Sequence, residues 1–129
     1  MKKYLAALHI VQRWGRVVYP FWKEGAEITA PAPETNLVAH TVSTGKKGYI
    51  YGFFISAQEG NDFKLVWTSG GTTYSRRIIL AGKGSVQYVD FIALNEGLPA
   101  DPGSVIAIQN VNAGSLNIIY QASILIGEV

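Results

Sequence analysis

From residue 36 onward, apolar and polar residues alternate with a period of two, and glycine-containing breaks interrupt the pattern about every 8–12 positions. This alternation constrains the fold more than anything else in the chain. Successive side chains of a strand point to opposite faces, so each run must present one face to a core and the other to solvent or to a second cover. No helical period of any length separates the runs, which leaves antiparallel pairing in a sandwich or barrel. Seven strands are expected, at about 37–43, 48–57, 62–69, 72–80, 85–92, 104–111 and 115–126.

The last run is the clearest. In SLNIIYQASILI, Leu116, Ile118, Tyr120, Ala122, Ile124 and Ile126 share a face, and Ser115, Asn117, Gln121 and Ser123 fall on the other. In GYIYGFFISA, strict alternation puts Tyr49, Tyr51, Phe53, Ile55 and Ala57 on one side and Ile50, Gly52, Phe54 and Ser56 on the other. That strand is apolar on both faces. A two-layer sandwich covers only one face of each sheet, so its second face needs another cover, either a subunit neighbour or a further segment of the chain.

The breaks have turn chemistry. STGKKG, QEGND, SGGT, AGKGS and NAGS all carry Gly, which adopts positive φ freely. SGGT suits a two-residue hairpin, and EGND, with Glu59 and Asp62, reads as a hairpin turn because it lacks the alternating carboxylates of a calcium loop. AGKGS and STGKKG do not satisfy the phosphate-loop pattern and lie between strands, so they read as turns with solvated lysines. Pro99 and Pro102 exclude a regular central strand in ALNEGLPADPG, which is expected to cross from one sheet to the other.

Residues 1–35 behave differently. Positions 1–23 carry five Lys/Arg and no acid, whereas residues 24–129 carry six basic and nine acidic residues. Spacings such as Ala7, Val11, Trp14, Val18 and Ile10, Trp14, Val17, Phe21 fit one side of a short helix. Gly15 would weaken that helix and Pro20 would end it, and RVVYPFW fits an edge strand or extended arm equally well. APAPET then reads as an extended linker. Two units are therefore expected: an N-terminal basic and aromatic arm with its linker over 1–35, and a β-sandwich over 36–129. Gln12, Arg13 and Arg16 interrupt the apolar stretch, so neither a signal peptide nor a membrane span is favoured. Attachment to an anionic membrane surface through residues 1–23 stays open.

Composition closes several classes of chemistry. With no Cys, disulfides, zinc-thiolate sites and Cys nucleophiles are impossible. The absent Cys and single Met also suit a hot or oxidising habitat. His9 and His40 lie in different segments, and no nucleophile elbow accompanies them. The acidic body and the apolar character of the arm argue against direct nucleic-acid binding. Only Asp90, in YVDFI, lies in the interior of an expected strand, and an ion pair with Arg76 or Arg77 is favoured for it over catalysis. No catalytic residue, cofactor or metal site is expected. Trp14, Val18, Tyr19, Phe21, Trp22, Tyr49, Tyr51, Phe53 and Phe54 are the candidates for an oligomer or arm interface. A carbohydrate or small-ligand module, with Trp67 and tyrosines as a stacking platform, is the alternative.

The runs TGKKGYIYGFFISAQEGNDFKLVW, SGGTTYSRRIILAGKGSV, LNEGLPADPGSVIAI and GSLNIIYQASILIGEV, which cover about 44–129, resemble the small jelly-roll or β-sandwich structural proteins of viruses, including tailed phages and viruses of thermophilic archaea. The likeness lies in layout and includes no signature motif, so it transfers no functional residue. It implies an antiparallel jelly-roll sandwich in a homo-oligomer, often a trimer, that serves as a capsid, decoration or fibre component beside other virion proteins. It also implies an N-terminal arm that reaches a neighbouring subunit, and a virion or host-cytoplasm location.

Overall fold

The two longest strands, β6 (Gly48–Ala57) and β12 (Ile119–Glu128), pair antiparallel along their whole length and form the middle of the larger sheet. The computed structural model describes residues 11–13, 16–89 and 98–129, which form strands and connections, with no helix among them. β3 (Phe21–Glu24) and β4 (Ile28–Thr29) flank β12, and β9 (Gly84–Val89) and β10 (Leu98–Ala100) flank β6. The smaller sheet runs in the order β5 (Asn36–Thr41), β11 (Val105–Asn110), β7 (Asn61–Ser69), β8 (Thr72–Leu80). A separate hairpin joins β1 (Val11–Arg13) and β2 (Arg16–Val18).

The core lies between the two sheets. Tyr120, Ala122, Ile124 and Ile126 of β12, Ile55 of β6, Phe63 and Leu65 of β7 and Ile106 and Ile108 of β11 are buried there in one continuous cluster. The period-two runs thus fold as strands of two antiparallel sheets. The expected start of the last strand does not hold: Asn117 has a φ of 64°, the Ile118 N–H bonds the Ser115 carbonyl, and Leu116 is exposed. Pairing begins at Ile119 because the chain is still turning at 115–118.

β6 departs from strict alternation. Leu125 pairs with Gly52 but Ile126 pairs with Ile50, so Tyr51 is an extra residue on β6. Such a bulge shifts every side chain beyond it to the opposite face. Ile50 therefore joins Phe53, Ile55 and Ala57 on the core side, while Tyr49 and Tyr51 pack on the outer face with Leu125. The expectation that Tyr49, Tyr51 and Phe53 share a face fails for this reason.

The turns divide into two kinds. Gly70 and Gly71, with φ of 60° and 78°, form a two-residue hairpin of the I′ type between β7 and β8, as SGGT implies. QEGND is not a hairpin: β6 and β7 lie in different sheets, so it is a corner. STGKKG, AGKGS and NAGS are corners of the same kind. In the Pro-rich stretch, Pro99 belongs to the short strand β10, at the sheet edge where its missing N–H costs no ladder bond, and the passage between sheets follows at residues 101–104.

At the N-terminus, the residues of the possible helix that are described, 11–13 and 16–18, are strands, in line with the extended alternative. Residues 1–10, 14 and 15 lie outside the described residues.

Candidate functional site

Two places in the fold bring functional candidates together: the outer face of the larger sheet, and the side of the sandwich bordered by β8 and β9.

On the outer face, Val18 is buried against Tyr49, Tyr51 and Leu125, with Trp22 and Val129 packed around them. Gly127 makes this seat possible. A methyl group there would collide with Val18 Cγ1 and come within 3.0 Å of Tyr51 Cε2. The N-terminal segment thus covers part of its own sheet, and Val18, Tyr49, Tyr51 and Trp22 lie at that contact. Tyr19 is exposed beside it. Phe21 is partly exposed, its ring edge-on to His40 at 5.5 Å. Phe54 stays on the outer face, opposite Ser123, whose hydroxyl donates to Glu24. Phe53 turns the other way, toward the core. Trp14 lies outside the described residues.

The β8–β9 side is built by register. Counting outward from the Gly70–Gly71 turn pairs Trp67 with Tyr74, Leu65 with Arg76 and Phe63 with Ile78. Directly opposed residues share a face. Because Phe63 and Leu65 are buried in the core, Tyr74, Arg76 and Ile78 lie on the core-facing side of β8. On the other sheet, Phe53 pairs with Tyr88 and Ile55 with Val86, also facing inward. Two stacked aromatic pairs result, Trp67–Tyr74 at 5.7 Å and Phe53–Tyr88 at 6.1 Å, each with an interplanar angle of 24°. Close approach of β9 is allowed by Gly52, where a Cβ would strike the Tyr88 carbonyl oxygen.

Between these layers lies a cleft of about 610 Å³, lined by Ile50, Tyr51, Gly52, Phe53, Leu65, Trp67, Ile78, Tyr88 and Leu98 together with Arg76 and Arg77. Arg77 faces away from the core and binds Asp62 at 2.6 Å. Arg76 makes no hydrogen bond or ion pair with any described residue. Asp90, the partner expected from sequence, lies outside the described residues.

Two polar clusters stand apart from the cleft. His40 Nε2 lies 2.7 Å from Glu128 Oε2, and the Ser43 N–H donates to Glu128 Oε1 at 3.0 Å. Burial pushes the Glu128 carboxyl up, but the Ser43 and His40 hydrogen bonds outweigh it and hold the group below the usual carboxylate range. Among the described residues no hydroxyl is bonded to His40, and the contact ties β5 to the end of β12. At the opposite end, Glu59 Oε2 accepts from Tyr120 Oη at 2.7 Å and from the Ser115 N–H at 2.8 Å, and Asn61 Nδ2 donates to Tyr120 Oη at 2.8 Å. The Ser115 and Tyr120 bonds lower the Glu59 pKa, and burial raises that of Tyr120. These groups satisfy one another and close a corner. Among the described residues no group of three or more His, Asp or Glu is placed to hold a metal ion, and no helix is long and apolar enough to cross a membrane.

Sequence reasoning singled out Arg76 only as an ion-pair partner and missed Glu128. The inward orientation of Arg76 follows from the register of the SGGT hairpin, so the signal was in the sequence. The His40–Glu128 contact joins residues far apart in the chain and left no local signal. No known protein-family model matches the sequence, and no curated protein matches it.

Proposed function

We propose that the protein is a non-enzymatic structural or assembly component that works as a homo-oligomer, with a trimer favoured, and that it serves a virion as a capsid, decoration or fibre subunit beside other virion proteins. The observation that carries this reading is where the large exposed apolar side chains lie. Tyr74, Ile79, Tyr88 and Val89 all sit on β8 and β9, the strands that border the open side of the sandwich. Among the described residues each of these strands also forms an outer edge of its sheet. Edge strands that carry exposed aromatics are a template for association unless something covers them, and a second copy of the chain supplies such a cover.

The strand order supports a jelly roll. The larger sheet runs β3/β4, β12, β6, β9/β10 and the smaller runs β5, β11, β7, β8. Successive strands from β4 through β9 alternate between sheets except at the single β7–β8 hairpin, which is the connectivity of two interlocked Greek keys. Jelly rolls also occur in lectins, so the strand order alone does not select a virion role. The Trp67–Tyr74 stack weakens the carbohydrate alternative, because one face of the indole is already occupied by Tyr74.

The test is sedimentation equilibrium with light scattering on the full chain at micromolar concentration. A defined oligomer is expected, and the double substitution Ile79→Lys, Val89→Lys should convert it to monomers with an unchanged far-ultraviolet spectrum. A monomeric wild-type chain would remove the basis of the reading.

A further inference from the structure

We infer that the cleft between the two sheets is a binding site for a small amphipathic carboxylate, an acid group on a slender apolar body, with Arg76 as the residue that takes the acid. The inference does not rest on the assembly reading, since the cleft and its cation belong to one protomer.

Three observations converge on it. The first is position. Arg76 lies directly across the ladder from Leu65, which is 3% exposed, and its neighbours on the same face of β8 are Tyr74 and Ile78. Tyr74 and Arg76 are exposed and Ile78 is half-buried, so Arg76 lines the cleft where it opens to solvent and its guanidinium is accessible to a ligand. The second is charge. Arg77 has Asp62 as its counter-charge, Arg76 has none among the described residues, and no described carboxylate lines the cleft. Among the described residues the cleft therefore carries about one unneutralised positive charge beside an apolar lining, which favours an anion over a cation or a neutral sugar. The third is size and lining. About 610 Å³ walled by Phe53, Trp67, Ile78, Tyr88 and Leu98 falls within the range of small-molecule sites, which are mostly apolar with a few convergent polar groups.

The division of labour follows. The guanidinium presents a planar fork of N–H donors that meets a carboxylate through two parallel hydrogen bonds. Each aromatic stack lies within one wall, and Trp67 on one side and Phe53 and Tyr88 on the other give the apolar body flat surfaces. The bland competitor is an arginine whose stem merely covers apolar surface while its head sits in water. That competitor has no preference for an acid.

Titration calorimetry on the full chain with decanoate, decanol and decyltrimethylammonium, each below its micellar concentration, separates the two. Decanoate should bind with a stoichiometry of one per chain and more tightly than either comparator. Arg76→Gln should weaken decanoate about tenfold or more, the worth of a charge-assisted hydrogen bond, and leave decanol unchanged. Arg76→Glu should reverse the preference, so that decyltrimethylammonium becomes the tighter ligand. Position 76 is exposed, so neither variant is expected to unfold the chain, and near-ultraviolet circular dichroism checks this. Equal binding of all three ligands, decanoate affinity unaffected by Arg76→Gln, or no binding by the folded wild-type chain would each overturn the inference.

Discussion

The contact between Gly127 and Val18 allows a test in which the sign of the effect, not only its size, is at stake. Gly127 is in β12 with no positive φ, so its backbone is one that alanine adopts readily. In a strand without steric conflict, Gly→Ala stabilises by roughly 0.5–1 kcal/mol, because glycine loses more conformational freedom on folding. Here the new methyl would meet Val18 Cγ1 and press on Tyr51 Cε2 at 3.0 Å. Valine is stiff about χ1 and cannot swing aside cheaply, and overpacking of this kind costs about 1–3 kcal/mol. Gly127→Ala should therefore destabilise. Val18→Ala removes two buried methyl groups, worth about 1.6 kcal/mol at ~0.8 kcal/mol each. Combined, the two should cost clearly less than their sum, because an alanine at position 18 has no Cγ1 to collide with. Urea unfolding at one fixed protein concentration measures all four chains, and tryptic cleavage at Arg13 and Arg16 reports whether the hairpin has lifted. Costs that add to within about 0.5 kcal/mol, or a Gly127→Ala chain more stable than wild type, would refute the proposed seating of the N-terminal segment.

Two further outcomes follow from the polar contacts. Asp101 accepts the Gly70 and Gly71 N–H groups at 2.9 Å each, and these bonds hold its pKa below the ordinary value. Asp101→Asn should speed amide exchange at Gly70 and Gly71. Because the folded pKa is depressed, the stability difference from wild type should be full above about pH 4, the unfolded aspartate value, and should shrink as pH falls through the lower folded value. Glu128→Ala should cost about 1.5–3 kcal/mol near neutral pH, by leaving the Ser43 N–H and His40 without their acceptor. Its folded pKa is also depressed. The loss should therefore fade as pH drops below about 4.3, and urea midpoints measured between pH 2.5 and pH 7 check it.

The strands were legible because most are amphipathic, and their ends are marked by residues that turn the chain. What escaped depends on pairing, which local pattern does not contain. The bulge at Tyr51 is the main example: the sequence reads as unbroken alternation, yet one extra residue opposite Leu125 sends Tyr49 and Tyr51 outward and Ile50 inward. The corners were misread at QEGND for a similar reason, since glycine and asparagine serve a hairpin and a passage between sheets equally well. At the N-terminus, apolar spacing at three and four residues competed with a period of two, and for the described residues pairing of Val11 with Val18 decides for strand. The candidate site was half visible. Its aromatics and Arg76 stand out as residue types, but which face they occupy emerges only from the register that the SGGT turn imposes.

The central place of β12 also bears on how the chain acquires its structure. Trp22 pairs with Leu125, about a hundred positions later, and β6 pairs with the same strand from the other side. Residues 21–29 and 48–57 have no ladder between them until 119–128 arrives to join them. During synthesis the early strands must wait with their edges open, and loop-closure entropy over the intervening chain is met before the central pairing returns any energy. Folding on the millisecond-to-second scale typical of such non-local sheets is expected, and in that interval the aromatic edges are exposed to other chains.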